Sequence, residues 1–246
     1  MEFKGTTAIV TGGAKGLGLA IANHLQEQGT TVIAIDRDVK AMELLPESIH
    51  SYCLDVTQPE EVRKTIQNIV NNHGKIDILV NNAGAIYSEP FLNLMNPEKM
   101  MHDYDTFRKS ITVNLDSVFI MSAAVVEHMV RQRVKGVIIN ISSISACGNE
   151  GQTAYSAAKA GVNAMTVTWS KELGRLGIRC NAIAPGFIAT DSTHNALNES
   201  ILKHIKANTP LRSLGHPRNV AQAVASLIAN DFINGAILPV NGGLTI

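Results

Sequence analysis

Tyr155 and Lys159 stand four residues apart in AYSAAKAG, with only small side chains between them. On a helix, positions i and i+4 face the same way, so phenol and ammonium share one face. A free tyrosine has a pKa of about 10 and is a poor base at neutral pH. A nearby cation favours the phenolate and lowers that value. Acid–base groups work best with a pKa near the operating pH, so the pair is a sensible proton-transfer device. By itself the pattern is weak, because a surface Tyr–Lys pair is its commoner cause. Ser142 lies thirteen residues before Tyr155, at the end of an apolar run, where a hydroxyl could hydrogen-bond a substrate oxygen. Ser143 and Ser145 are its rivals on sequence alone. Asn114, in the helical stretch ITVNLDSVF, reads either as a satisfied core amide or as a relay that holds a water.

A second group of residues points to a nucleotide. In TGGAKGLG (11–18), Gly12, Gly16 and Gly18 are spaced G-x-x-x-G-x-G between an apolar run and the helical pattern LAIANHL. Glycine lets the backbone approach a pyrophosphate, and the following helix offers free N–H groups and a partial positive charge. The strand–helix setting is what makes such a cluster informative. Asp36 ends the next run, eighteen residues after Gly18. A carboxylate there accepts the hydroxyls of an adenosine ribose and repels a 2′-phosphate, which favours NAD(H). Lys15 and Arg37 are the counter-signal for NADP(H), since either can pair with a phosphate. The carboxylate is taken as decisive, because both cations can swing to solvent. Asp55, which ends the third run, could accept from an adenine amino group or cap the next helix. The small residues of NNAG (81–84) would let backbone lie against a ribose.

The elements that must position these residues form an alternation. Short apolar runs at 6–12, 31–36, 50–55, 76–82, 136–142, 178–186 and 236–240 are separated by longer amphipathic stretches. Nearly continuous apolar character is the pattern of strands buried on both faces. In PEEVRKTIQNIVNN, Val62, Ile66, Ile69 and Val70 fall on one face, and Thr57 with Glu60 resembles a capping box. Such alternation predicts an α/β fold: a parallel sheet with right-handed crossovers and helices on both faces, in one domain over 1–246. Two segments break the rhythm, near 85–105 and 187–216. Both follow strand C-termini, the edge where open parallel sheets take ligands, so they are expected to be a substrate wall and a mobile lid.

Composition excludes several classes. Lys+Arg and Asp+Glu both count 21, so nothing favours nucleic acid as a partner. The three cysteines, Cys53, Cys147 and Cys180, are scattered, which fits a reducing compartment and gives no zinc spacing. The eight histidines lack H-x-x-x-H spacing, so no metal is expected; His102, His194, His204 and His216 read as loop or helix-surface residues. There is no signal-peptide pattern and no uncharged stretch long enough to cross a bilayer, so a cytoplasmic protein is expected, with no membrane partner.

Taken together, TGGAKGLG, Asp55, NNAG, Asn114, Ser142, Tyr155-x-x-x-Lys159, Pro185-Gly186 and the VNGG ending resemble the short-chain dehydrogenase/reductase family across essentially the whole chain. The branch most resembled includes the 3-oxoacyl-acyl-carrier-protein reductases. The resemblance implies a seven-stranded Rossmann sheet of order 3-2-1-4-5-6-7, usually in a homotetramer. It implies an NAD(P)(H)-dependent interconversion of a ketone and a secondary alcohol, the substrate being a small carbonyl compound or alcohol, or an acyl thioester. In this reading Tyr155 exchanges the proton and Ser142 holds the oxygen, its distance from the tyrosine picking it over Ser143. Lys159 binds the nicotinamide ribose and lowers the tyrosine pKa, and Asn114 holds a water. The cofactor contacts implied are Gly12, Lys15, Gly16, Leu17, Gly18, Asp36, Arg37, Asp55, Val56, Asn82, Ala83, Gly84, Tyr155, Lys159, Pro185, Gly186, Ile188 and Thr190. The chain departs from the acyl-carrier reductases in a longer span between Gly84 and Asn114, a shorter LIANDFING stretch, and Asp36 in place of their usual NADPH preference. A nucleotide-sensing protein on the same fold is the remote alternative, disfavoured because all four polar residues of the device are present.

Overall fold

The structure is a computed structural model that describes residues 1–190, 193 and 197–246. Among the described residues seven strands are formed: β1 (Thr7–Thr11), β2 (Thr31–Asp36), β3 (Ile49–Cys53), β4 (Ile78–Asn81), β5 (Val137–Ile141), β6 (Arg179–Pro185) and β7 (Ile237–Val240). They pair in the order β3-β2-β1-β4-β5-β6-β7, with every pairing parallel. The α-helices among the described residues include α1 (Gly16–Glu27), α2 (Val39–Met42), α3 (Pro59–His73), α4 (Tyr104–Ile111), α5 (Ser117–Arg131), α6 (Thr153–Gly174), α7 (Glu199–Asn208) and α8 (Pro217–Ala229).

Successive strand side chains point to opposite faces, so each apolar run feeds two cores. Ala8, Val10, Val32, Ala34, Ile139 and Ile183 pack with Ile21 and Leu25 of α1 and with Val220, Val224 and Leu227 of α8. Their neighbours Ile9, Ile33, Ile35, Leu79 and Ile138 pack on the other face with Val62, Ile66 and Ile69 of α3 and with Met121, Val125 and Met129 of α5. This is why the central runs are almost uninterrupted by polar residues.

The two edge strands depart from that expectation. In β3 only Ile49 is buried, and in β7 Ile237 and Leu238 are each 36% exposed. An edge strand lacks a neighbour on one side, so an apolar run there does not guarantee cover. The Thr57–Glu60 capping box is also corrected. Helix α3 starts at Pro59 with Gln58 as its N-cap, and the Thr57 hydroxyl donates instead to Asp55 Oδ1 at 2.7 Å. Proline supplies the fixed φ of a first helical residue, so no reciprocal cap is needed. The continuous helix Tyr104–Arg131 is long and apolar enough to cross a bilayer by length and composition, although Asp105, Arg108, Lys109, Asp116 and Glu127 interrupt it and leave no long uncharged stretch. Its Val118, Met121, Val125 and Met129 are nonetheless buried in the core.

Strand order reverses between β1 and β4, which opens a crevice at the C-terminal edge of the sheet. The loops after β1, β2, β4, β5 and β6 meet there.

Candidate active site

The loop from β1 to α1 is shaped by glycine. Gly12 and Gly16 have φ of +62° and +56°, the left-handed region that other residues avoid. A Cβ on Gly18 would lie 2.0 Å from the Gly12 carbonyl oxygen, so helix and loop pack with no room for a side chain. Helix α1 begins at Gly16 with no side-chain cap, which leaves its first N–H groups free for an anion. Leu17 tucks against the core beside it. Asn82 fixes the cradle from the β4 side: its Nδ2 donates to the carbonyl oxygens of Thr11 (2.9 Å) and Gly12 (3.2 Å). Thr11 Oγ1 accepts in return from the N–H groups of Asn82 and Ala83, both at 3.0 Å. The side chain of Asn82 therefore braces the loop, and Thr11 is a partner that sequence reasoning missed; its only signal was a hydroxyl ending an apolar strand.

The adenosine end is rich in charge. Asp36 accepts from the N–H of Ala14 (3.2 Å) and of Asp38 (3.1 Å). Lys15 is exposed but not unpaired: its Nζ sits 2.7 Å from Asp38 Oδ2. Arg37 reaches toward Asp55, Nη1 to Oδ2 at 4.0 Å. Asp38 was overlooked in the sequence, although it lies just two residues beyond Asp36. Asp55 closes a turn by accepting from the Thr57 N–H at 3.0 Å, rather than capping α3. Burial pushes its pKa up, but those Thr57 bonds and the Arg37 charge hold the carboxyl below its ordinary value. Val56 points into the core, leaving only its backbone for a ligand. A cavity of about 380 Å³ lined by Arg37, Asp55, Thr57, Tyr87, Arg108 and Thr112 opens beside these groups.

The catalytic end is buried and almost uncharged. Asn114 lies in a π-helical turn, Thr112–Asp116, between α4 and α5. Such turns widen a helix locally and recur at functional sites. Its Nδ2 donates to the carbonyl oxygens of Ala85 (2.8 Å) and Ser110 (2.9 Å), and its Oδ1 accepts from the Ala85 N–H (3.1 Å). The amide thus clamps the loop after β4. A Cβ on Gly84 would lie 2.7 Å from Asn114 Oδ1 and 3.7 Å from Lys159 Nζ, so this backbone skirts the lysine because it has no side chain.

Lys159 is buried, and its Nζ donates to the Ile141 carbonyl oxygen at 2.8 Å while standing 5.6 Å from the centre of the Tyr155 ring. Burial brings its pKa down to about 8. Tyr155 keeps an open edge, yet its pKa is raised, by burial first, with a hydrogen bond to Ser143 opposing the rise. Burial sets the direction of the Tyr155 shift and only the Ser143 hydrogen bond opposes it, so the protein alone does not show the expected lowering by Lys159. The two serines after β5 are placed differently. The Ser142 hydroxyl is buried and donates to the Lys159 carbonyl oxygen at 3.4 Å, whereas the hydroxyl that reaches the phenol belongs to Ser143. Adjacent residues leaving a strand face opposite ways, so one of the two turns toward Tyr155 and the other toward the helix backbone.

The loop after β4 is hooked to the approach to Tyr155. The Glu89 N–H donates to the Gly151 carbonyl oxygen at 2.8 Å, and Leu92 bridges Met101 in antiparallel fashion. On it Phe91, Leu94, Met95 and Met101 are exposed. On the opposite side, the Gly186 N–H after Pro185 donates to the Val240 carbonyl oxygen, and Ile188 bridges Gly215. Thr190 Oγ1 lies 3.0 Å from Thr193 Oγ1. The lid expected at 187–216 includes α7; its residues 191, 192 and 194–196 lie outside the described ones, His194 among them. Among the described residues no group of three or more His, Cys, Asp or Glu could hold a metal ion.

A glycine cradle at a free helix end, a carboxylate at the end of β2, and a bare backbone beside a buried lysine together fit a nicotinamide dinucleotide. Known proteins agree. A family model described as enoyl-(acyl carrier protein) reductase matches residues 12–245. The 3-oxoacyl-(acyl-carrier-protein) reductase FabG of Thermotoga maritima is 39% identical, with all of both chains covered. The FabG of Vibrio harveyi is 38% identical over 99% of each chain. The solved structure of gox2181 superposes with a TM-score of 0.88 at 34% identity, over 98% of this chain and 95% of that one. Fold, site geometry and full-length likeness agree, and the chain belongs to the short-chain dehydrogenase/reductase family, oxidoreductases acting on CH–OH and keto groups with a nicotinamide cofactor.

Proposed function

We propose that this protein interconverts a ketone and a secondary alcohol with NAD(H) as the preferred cofactor. The observation that carries the reading is the trio of Tyr155, Ser143 and Lys159 at the sheet edge next to the glycine cradle. The bound cofactor supplies or accepts the hydride at the carbonyl carbon. Tyr155, kept protonated by its raised pKa, gives its proton to the carbonyl oxygen in reduction. Ser143 donates a hydrogen bond to the same oxygen, in place of Ser142. Lys159, with a pKa of about 8, can return a proton toward the phenolate at near-neutral pH. Asn114 holds the loop that lies against the lysine; the water relay rests on the family resemblance. The cofactor contacts are proposed at the positions implied by that resemblance, with Asn82 and Val56 contributing backbone alone.

Asp36 supports NAD(H) over NADP(H), because its carboxylate lies beside the Ala14 N–H where a 2′-phosphate would approach. A second reading narrows the substrate to a 3-oxoacyl thioester. The named activity of the full-length relatives favours it, and the exposed apolar residues Phe91, Leu94, Met95 and Met101 suit an aliphatic chain. We place the enzyme in the cytoplasm as a homotetramer. That placement draws on its relatives, on three cysteines without disulfides, and on the exposed Phe119, Phe232 and Leu238.

The test is the absorbance of reduced nicotinamide during incubation with an acetoacetyl thioester, then with a panel of secondary alcohols and ketones. Turnover with NADH faster than with NADPH is the expected result. No turnover of any carbonyl or alcohol by protein that binds the cofactor would sink the reading in favour of nucleotide sensing.

A further inference from the structure

At the adenosine end, five charged side chains gather within a few residues of the C-termini of β2 and β3 or in the glycine loop beside them: Lys15, Asp36, Arg37, Asp38 and Asp55. Asp36 alone lies along the path expected for the adenosine ribose. The others pair off. Asp38 Oδ2 holds Lys15 Nζ at 2.7 Å, while its Oδ1 accepts from the Ala41 N–H at 3.1 Å and so caps α2. One aspartate thus performs two jobs with its two oxygens. The cap can be done by serine or asparagine equally well; holding the ammonium requires a negative charge.

Lys15 is the residue of the glycine loop best placed to meet a 2′-phosphate. It lies at the N-cap of α1, next to the free N–H groups, and its side chain is 66% exposed. A lysine receives a phosphate as a point charge, and here that charge is already engaged. The pair moves both partners in the direction of mutual stabilisation: the hydrogen bond to Asp38 raises the pKa of Lys15, and the same bond, followed by that from Ala41, lowers Asp38.

We infer that Asp38 is a cofactor-selectivity residue that holds Lys15 away from a 2′-phosphate and so reinforces the exclusion begun by Asp36. The inference rests on the NAD(H) reading above and adds a second, independent layer to it. Selectivity of this kind is built against the wrong ligand rather than for the right one. A dinucleotide carrying a 2′-phosphate must both face Asp36 and win Lys15 from Asp38. One lacking the phosphate meets neither cost.

The experiment measures dissociation constants for NADH, NADPH and 2′,5′-ADP by calorimetry, without substrate, so turnover plays no part. The variant is Asp38→Asn, which keeps an acceptor for the Ala41 N–H and removes the charge. Asp38→Ser, which also caps, guards against a local folding fault. Both are expected to tighten NADPH and 2′,5′-ADP roughly fivefold, the scale of an exposed ion pair, and to leave NADH within about twofold. In a Lys15→Met background the gain should vanish. Unchanged NADPH binding in both variants, or an equal gain without Lys15, would overturn the inference. Failure of the NAD(H) reading shows separately, as wild-type protein that binds NADPH at least as tightly as NADH.

Discussion

The two ends of the cofactor crevice are built on opposite principles. At the catalytic end, Lys159 and Asn114 are almost wholly buried, and backbone carbonyls satisfy them. At the adenosine end, Lys15, Arg37 and Asp38 are open to water and satisfied by their charged neighbours. Burial changes pKa values strongly, so the buried end can tune an acid and a base. Exposed pairs are screened and weak, so the charged end can discriminate ligands only by modest factors. The chemistry should therefore be brittle to substitution and the selectivity graded.

The most severe test of that contrast is Tyr155→Phe. It keeps the ring and removes the proton donor, and turnover should fall by about a thousandfold, within the range for general acid–base groups. NADH binding should stay within about twofold. Retained turnover would place the proton donor elsewhere. Lys159→Met should cost about a hundredfold, and it carries a second signature in stability. The lysine titrates at about 8 when folded, against an ordinary value of 10.5 once the chain unfolds. Between those values the unfolded chain binds the extra proton, so this group makes stability rise with pH across that window and contributes no slope below it. The total is about 3 kcal/mol at 1.36 kcal/mol per unit. Denaturant titrations should show that slope in wild type and its loss in Lys159→Met. Equal slopes would mean that the ammonium is solvated after all.

Next in size comes the pair of serines. Ser143→Ala should lower turnover about tenfold or more, whereas Ser142→Ala should lower it less than about threefold, because its hydroxyl only meets a helix carbonyl. The reverse ranking would restore the serine chosen by counting.

That pair also marks where the sequence stops being informative. The strand order and the two cores follow from apolar runs that alternate with amphipathic stretches, and Val62, Ile66, Ile69 and Val70 pack as their spacing requires. The glycine cradle was legible because positive φ and close approach leave glycine as the natural choice at Gly12 and Gly18. What spacing left open was finer than one residue or one bond. Which of two adjacent serines faces the phenol depends on how the chain leaves β5. Whether Lys159 lowers or burial raises the Tyr155 pKa depends on desolvation, which sequence spacing does not report. Asp38 escaped notice because its use needs Lys15, 23 residues away, brought beside it by the β1–α1 loop.

The smallest effect is expected at Arg37, and it sharpens the contrast within the charged end itself. Lys15 is held by a direct hydrogen bond at 2.7 Å, but Arg37 stands 4.0 Å from Asp55. Asp55 is meanwhile satisfied by the Thr57 N–H and hydroxyl, so it loses little if the guanidinium goes. A side chain that is 68% exposed and held only by long-range attraction is neither a firm part of the site nor firmly withheld from it. Arg37→Gln should therefore weaken NADPH by about twofold, leave NADH unchanged, and shift stability by less than about 0.5 kcal/mol. Isothermal titration of both cofactors, in low and in high salt, reads the outcome, since a screened effect should fade as salt rises. A loss of NADPH affinity well beyond fivefold that survives high salt would mean that Arg37 meets the phosphate directly, and that the exposed end grips one ligand as firmly as the buried end holds its lysine.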